Sequence, residues 1–228
     1  MTIGNMKRII YKTIHDSSLT ELASLILPWK INNDRILHRI KANALDVSNL
    51  DAIARRMLNE MAGLSESDWK LTCGPPSIVT ETASILKAYL FFLRSYHDAL
   101  AEGFLSAQGQ PSSARTSMAK LIGLNKRGES KELRAHLECE VPGYYSWFER
   151  MRRNRNRTKE SLDVMYTYGE YGAGIVFMDK RDSTPSMKEH ALTSRELDES
   201  MLMSKHTTLC LLKVLDTETS NKSIQETP

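Results

Sequence analysis

Apolar residues recur along most of the chain at three- and four-residue spacing, which is the pattern of helices that bury one face. Glycine, proline and potential capping residues separate these periodic segments, and Ser48 is expected to cap the start of one of them. Apart from the three helices treated below, the pattern predicts helices over residues 18–27, 31–44, 48–63, 113–124 and 129–139.

The longest predicted helix begins at Ser77 or Thr80 and ends near Leu105. Between Ile85 and Leu93 its residues are apolar nearly all the way round. A helix of this kind is normally enclosed by other helices, because each of its sides has to be removed from water. We therefore expect it to form the centre of a helical bundle.

The pattern changes in the last third of the chain. Residues 164–168 and 174–178 favour β-structure, with glycines between them, and predict a hairpin. The sequence Thr193-Ser194-Arg195-Glu196 is a capping box, in which Thr193 and Glu196 begin a last helix. Together these elements predict an all-α protein, an up-and-down helical bundle with a small β-hairpin insertion before the last helix.

A Cys-Gly-Pro-Pro segment at residues 73–76 interrupts the helical pattern and is the clearest internal boundary. The sequence therefore predicts an N-terminal helical layer over residues 1–76 and a main bundle over residues 77–216. The polar residues 217–228 are expected to form a disordered tail.

Composition narrows the class of protein. The chain has 228 residues, 41% of them hydrophobic, and a net charge of +3. Its three cysteines are far apart, which fits a reducing cytoplasm, and no apolar run has the length of a signal peptide or membrane span. The six histidines are never at metal-ligand spacing, and no nucleotide-binding or hydrolase motif is present. We expect a cytoplasmic protein without metal, cofactor or membrane partner.

Positive charge is concentrated in one helix, predicted over residues 142–162. Its apolar face starts with Tyr144, Trp147, Phe148 and Met151, and at four-residue spacing continues to Arg155. Six cationic residues lie between positions 150 and 159. They are interpreted either as a solvated face with one buried ion pair, or as a phosphate-binding surface, since arginine offers two parallel donors to phosphate. The run itself lacks the interleaved aromatic residues of single-strand stacking surfaces.

The long helix carries a polar patch of Arg94, His97 and Asp98 at its apolar end. Arg94 and Asp98 are four residues apart and can pair on one face. An inward-facing Arg155 would also need an acidic partner, because an unpaired buried charge is costly. We therefore expect a structural ion pair that includes Arg94, Asp98 and Arg155.

The sequence FFLRSYHDALAEGF in the long helix, together with a later helix that carries R-N-x-x-K, resembles the HEPN superfamily of prokaryotic helical bundles. The resemblance covers about residues 77–215 and implies a bundle of four or five core helices that is usually a homodimer. Many members are metal-independent ribonucleases of toxin–antitoxin, abortive-infection or CRISPR systems. Their motif is an arginine followed by Asn, Asp or His, with a histidine four to six residues later.

Arg155 and Asn156 match the first part of this motif, and Lys159 follows at the expected distance. Glu160 stands where R-N-x-x-K-H members have the histidine, and no histidine occurs between residues 137 and 189. The family histidine assists attack by a ribose hydroxyl, whereas glutamate is an anion beside phosphate with a less suitable pKa. Glu160 in the place of the histidine therefore argues against nuclease activity.

From these observations we expect a non-catalytic binding or regulatory homodimer that associates through the 144–162 helix and binds RNA or a cognate partner protein. No residue is assigned as catalytic; Arg155, Asn156 and Glu160 are candidates only. The residues available to phosphate are Arg152, Arg153, Arg157 and Lys159. Two alternatives remain open. One is a ribonuclease that uses Arg155 with Glu160 or His97 as the substitute base, and the other is a structural bundle that binds proteins.

Overall fold

The long runs of three- and four-residue spacing fold as helices in the computed structural model, which describes residues 21–29, 31, 33–64, 77–110, 116–123, 131–160, 164–169, 172–178 and 191–225. Within these residues the helices are α1 (Glu21–Ser24), α2 (Asp34–Ala62), α3 (Ser77–Ala107), α4 (Met118–Leu121), α5 (Lys131–Glu140), α6 (Tyr144–Glu160) and α7 (Ser194–Gln225). The strands are β1 (Val164–Gly169), β2 (Gly172–Phe177) and β3 (Leu192–Thr193). The predicted class, a helical bundle with a small β-insertion before the last helix, is confirmed.

The segment predicted as two helices, 31–44 and 48–63, is the single helix α2, so the predicted break is wrong. Ser48 does not cap a helix; its hydroxyl donates to the carbonyl of Ala44 at 2.9 Å from inside the helix. The buried face passes straight through this point, because Ala44, Val47 and Ala54 are all inaccessible to solvent. A serine inside a buried helical face resembles a cap in sequence but has its hydroxyl satisfied by the preceding turn.

The long central helix is confirmed as α3, with Leu86, Leu90 and Leu93 buried. The expectation that other elements enclose it on every side is wrong at one position. Phe91 has 51% of its surface exposed to solvent. An exposed phenylalanine in the middle of a buried helix needs an explanation other than core packing.

The chain forms two compact units, and each is discontinuous in sequence. Unit 1 consists of Met1–Asn49, Ser95–Tyr144 and Met203–Pro228, and unit 2 consists of Leu50–Arg94 and Tyr145–Leu202. The limits of these units fall inside helices, so they do not test the predicted division into a layer of residues 1–76 and a bundle of residues 77–216. The predicted boundary at residues 73–76 lies outside the described residues.

The predicted hairpin is confirmed in unit 2. Strands β1 and β2 pair antiparallel from Val164 opposite Phe177 to Gly169 opposite Gly172. A third strand, β3, was not predicted, because its two residues are too short to show an alternating pattern. It pairs with β2 at Gly174, where a Cβ atom would approach the Thr193 side chain to 2.7 Å. Glycine therefore permits the close approach of the third strand.

The capping box that was predicted to begin the last helix is also present. The backbone N–H of Thr193 donates to Oε2 of Glu196 at 3.1 Å, and the Thr193 hydroxyl donates to the same oxygen. The helix that follows, α7, continues to Gln225, beyond residue 217 where the disordered tail was expected to begin. Residues 226–228 lie outside the described residues.

Replacing Glu196 by alanine is expected to lower the free energy of unfolding by about 1–3 kcal/mol. Thr193 is 5% exposed, so its N–H and hydroxyl would lose a partner that water cannot easily replace. Urea denaturation of Glu196→Ala measures this loss, with Glu81→Ala, an exposed glutamate on α3, as the control. Equal unfolding midpoints for the two variants would show that the capping box does not stabilise α7.

Candidate functional site

The helix α6 is held by an apolar stripe of Tyr144, Trp147, Phe148 and Met151, all 0–3% exposed. The next buried position is Asn154, at 5% exposed, and not Arg155, which is only partly buried. The stripe therefore continues at a spacing of three residues, where four was expected. Asn154 was missed because either spacing continues a helical face, and the sequence does not say which one the packing selects.

With 100° of rotation per residue, the cationic residues of α6 separate into two groups on either side of the buried stripe. We call edge A the residues at spacing i, i+3, i+4 and i+7, which are Arg152, Arg155, Asn156 and Lys159. We call edge B the residues at spacing i, i+3 and i+7, which are Arg150, Arg153 and Arg157.

Edge B is engaged within the protein. Arg150 forms an ion pair with Glu199 of α7, and Nε of Arg153 lies 3.3 Å from Oε1 of Glu149. Arg157 is partly buried. The pair of Arg150 with Glu199 joins α6 to α7, which agrees with the structural interpretation of part of the basic run. Among the described residues Arg153 pairs only within its own helix and is exposed, so both it and the partly buried Arg157 stay predicted phosphate contacts.

Edge A shares one carboxylate with edge B. Nε of Arg152 lies 3.8 Å from Oε2 of Glu149, the same carboxylate that Arg153 contacts. Lys159 is exposed at the last turn of the helix, whereas Arg152 and Arg155 are partly buried. Lys159 is therefore the cation of edge A that is most open to solvent.

Arg155 has neighbours in unit 2 that are not acidic. Its Nη1 lies 3.4 Å from Oδ1 of Asn156, a bond at the long end of the range, and its Cζ lies 6.0 Å over the centroid of the Phe91 ring. The ring of Phe92 meets that of Phe91 edge to face at 5.4 Å. The exposed Phe91 of α3 is therefore part of the same surface as the arginine that the HEPN resemblance singles out.

The predicted ion pair of Arg94, Asp98 and Arg155 stays a prediction. Among their contacts, Cζ of Arg94 lies 4.8 Å over the Phe148 ring, and Oδ1 of Asp98 accepts the N–H of Met118 at 3.0 Å. Asp98 thereby satisfies a backbone donor in the first turn of α4.

His97, one of the two substitute bases considered for a ribonuclease, is completely buried in unit 1. Its Nδ1 lies 3.1 Å from the Tyr144 hydroxyl and its Nε2 lies 3.0 Å from the Ser204 hydroxyl. With both ring nitrogens engaged and no exposed surface, His97 cannot reach a substrate, which argues against this form of the alternative. The side chain of Glu160, the other substitute base, lies outside the described residues.

A second charged cluster of unit 2 centres on Arg55. Its Nε lies 2.7 Å from Oδ2 of Asp51, and its Nη1 lies 2.5 Å from Oδ1 of Asp198. Burial raises the pKa of the Asp51 carboxyl, in spite of the opposite effect of Arg55. Burial also raises the pKa of the nearby Tyr89 hydroxyl, which therefore keeps its proton. Asp51 and Tyr89 are buried, and the exposed Asp198 is paired with Arg55, so we interpret the cluster as structural.

Three further findings concern metal-binding groups, apolar helices and a buried thiol. In the part of the chain that the structure describes, no group of three or more His, Cys, Asp and Glu residues could hold a metal ion. Among the helices described, none combines the length and the apolar character needed to cross a membrane. Burial raises the pKa of the Cys210 thiol to about 11, so this cysteine stays protonated and is a poor nucleophile at neutral pH.

Comparison with protein-family models, with curated proteins and with solved structures gives no match. The function proposed below therefore rests on the residues of this chain, with edge A as the candidate binding surface.

Stability should depend on pH through Asp51. A carboxyl whose folded pKa is raised above its ordinary value of 3.8 binds a proton more tightly in the folded chain. Its stabilising contribution is therefore present at low pH and is lost as the pH rises through the folded pKa. We expect the wild-type protein to lose stability relative to Asp51→Asn as the pH rises from below 3.8 towards neutrality.

Urea denaturation over this pH range measures the difference between the two proteins. Asp34→Asn, an exposed residue in the first turn of α2, is the control. The opposite slope, with wild type gaining stability as the pH rises, would mean that the ion pair with Arg55 outweighs the effect of burial.

Proposed function

We propose that this chain is a non-catalytic, HEPN-like binding protein whose edge A contacts the phosphate groups of RNA. The observation that supports this most directly is the different treatment of the two edges of α6. Arg150 of edge B pairs with Glu199 of α7, whereas the neighbours of Arg155 among the described residues are an amide and an aromatic ring. We infer that Arg155 and the exposed Lys159 contact a ligand.

The charge of α6 favours a polyanion as this ligand. The helix has six cationic and two acidic residues, a net charge of +4, whereas the whole chain has only +3. Like charges that lie close together repel one another and lower the stability of the fold, and a bound anion relieves this repulsion. They also attract an anionic partner over a distance that the salt concentration sets. Arginine at positions 152 and 155 can donate two parallel bonds to one phosphate, and Lys159 adds a flexible charge one turn away.

The choice of RNA as the polyanion rests on the HEPN resemblance of Arg155, Asn156 and Lys159. The same resemblance suggests a role in defence or in a toxin–antitoxin pair, and a cytoplasmic location belongs to this proposal. The non-catalytic character rests on Glu160 in the place of the family histidine and on the burial of His97. The structural alternative, a bundle that binds only proteins, predicts no such dependence on phosphate.

The proposal includes a homodimer that associates through α6. The apolar stripe of this helix is already buried within the chain, so a second copy would meet its polar and charged sides. Two helices that each carry a net +4 repel one another, and that repulsion is screened by salt. An anionic ligand between the two copies would also relieve it.

Binding of labelled RNA is expected to weaken steeply as salt is added, since each phosphate contact releases a counterion. Replacing Arg155 or Lys159 by glutamine should lower the slope of log Kd against log salt by about 0.7–0.9 for each contact that is lost. Fluorescence anisotropy at several salt concentrations measures both quantities, and the same samples show whether the RNA is cleaved.

The matched control is Arg56→Gln, which removes one charge from an exposed arginine of α2 that lies 3.8 Å from Glu60. It should leave the slope unchanged. Equal slopes for Arg155→Gln, Lys159→Gln and wild type would contradict edge A as the phosphate surface. Cleavage by wild type that Arg155→Gln abolishes would contradict the non-catalytic assignment.

The dimer should become more stable at higher salt, because screening weakens the repulsion between the two copies of α6. Light scattering over a range of protein concentrations, at low and high salt, measures the dissociation constant. Lys159→Gln should strengthen the dimer at low salt, whereas Arg56→Gln should not. A monomer under all conditions, or a dimer that high salt dissociates, would contradict association through this helix.

A further inference from the structure

Burial in the core does not account for the phenylalanine at position 91. It lies in the middle of α3, yet 51% of its surface is exposed. Its contacts are the edge-to-face ring of Phe92 at 5.4 Å and the guanidinium of Arg155 at 6.0 Å. Isolated exposed apolar residues are common, but an aromatic ring held between a second ring and an arginine is restrained in its orientation.

Cationic residues lie near this ring. Arg155 approaches it from α6, and Lys87 is one turn before Phe91 on α3, with its Nζ 5.5 Å over the centroid of the Phe177 ring. No acidic residue occurs in the sequence between positions 87 and 95. An exposed aromatic ring in such surroundings is unsuited to a basic or a purely apolar partner, and it complements a ligand that combines flat rings with negative charge.

The sequence of α6 lacks the aromatic residues that single-strand binding proteins interleave with their cations, but the fold supplies one from a neighbouring helix. We propose that Phe91 is a stacking site for an unpaired base of single-stranded RNA whose phosphates contact edge A. This inference rests on the function proposed above and specifies its ligand. A guanidinium plane such as that of Arg155 can also stack on a base, so ring and arginine form one receiving surface.

Single-stranded RNA fits this site better than a duplex. In a duplex the bases are stacked on one another and paired, so a ring on the protein surface meets only sugars and phosphates. In a single strand the face of a base is free, and stacking on an aromatic ring accepts any base. The site should therefore distinguish single strands from duplexes while showing little preference for sequence.

The test measures the affinity of the whole 228-residue chain for three probe ligands. They are a labelled RNA of about 12 nucleotides, the same RNA as a duplex, and inorganic polyphosphate, which has charge but no bases. Phe91→Leu keeps an apolar side chain and removes the ring, and Phe91→Trp keeps a ring. We expect Phe91→Leu to bind the single strand about 5- to 100-fold more weakly. Its affinity for the duplex and for polyphosphate, and its salt slope, should equal those of wild type. Phe91→Trp should bind the single strand at least as well as wild type does.

Leu27→Ala, which removes an exposed apolar side chain of unit 1, should have no effect on binding of any probe. Unchanged single-strand binding by Phe91→Leu would overturn the stacking site and leave the phosphate surface standing. Equal weakening for all three probes would also overturn it, because Phe91 would then act only by positioning Arg155. If wild type binds none of the probes in a salt-dependent way, the proposed function fails and this inference fails with it.

Discussion

The helix α6 has to bury four large apolar side chains although it carries six cations in ten residues. The burial of the apolar side chains determines where the cations lie, and the rest of the candidate site depends on this. Burying residues such as Trp147 and Phe148 is worth about 2–3 kcal/mol each, which is enough to fix the rotation of the helix. Once the rotation is fixed, Asn154 continues the buried stripe and the cations are forced to its two sides. Edge A and edge B are thus consequences of apolar packing before they have any role of their own.

Two arginines of α6 have partners of different kinds. Arg150 meets Glu199 from α7, whereas Arg155 meets the ring of Phe91 from α3. A guanidinium over a ring keeps its full charge and most of its donors, while one paired with a carboxylate does not. The same run can therefore contain an arginine that stabilises the fold and, in the function proposed above, one that contacts a ligand.

Local features of this fold could be predicted from the sequence. The extent of α3, the hairpin and the capping box at Thr193 depend on neighbouring residues, and all three were found. Features that depend on distant residues could not. Ser48 looked like a cap because its hydroxyl could satisfy either a helix start or the preceding turn. The partner of Arg150 lies 49 residues further along the chain. The exposure of Phe91 depends on where the neighbouring elements pack, which the sequence around Phe91 does not determine. The candidate site was located, but the aromatic member of it was not.

Glu149 contacts arginines of both edges, and this has a consequence for the proposed ligand. A phosphate that approaches Arg152 has to compete with the carboxylate already beside it. Glu149 therefore acts as a tethered competitor, present at a constant effective concentration however dilute the ligand is. A free phosphate ion gains one contact and loses against such a competitor, whereas a polymer that also engages Arg155 and Lys159 gains several at once. In the proposed function, a single intramolecular carboxylate would thus favour the binding of long polyanions over that of the small anions that are abundant in any cell.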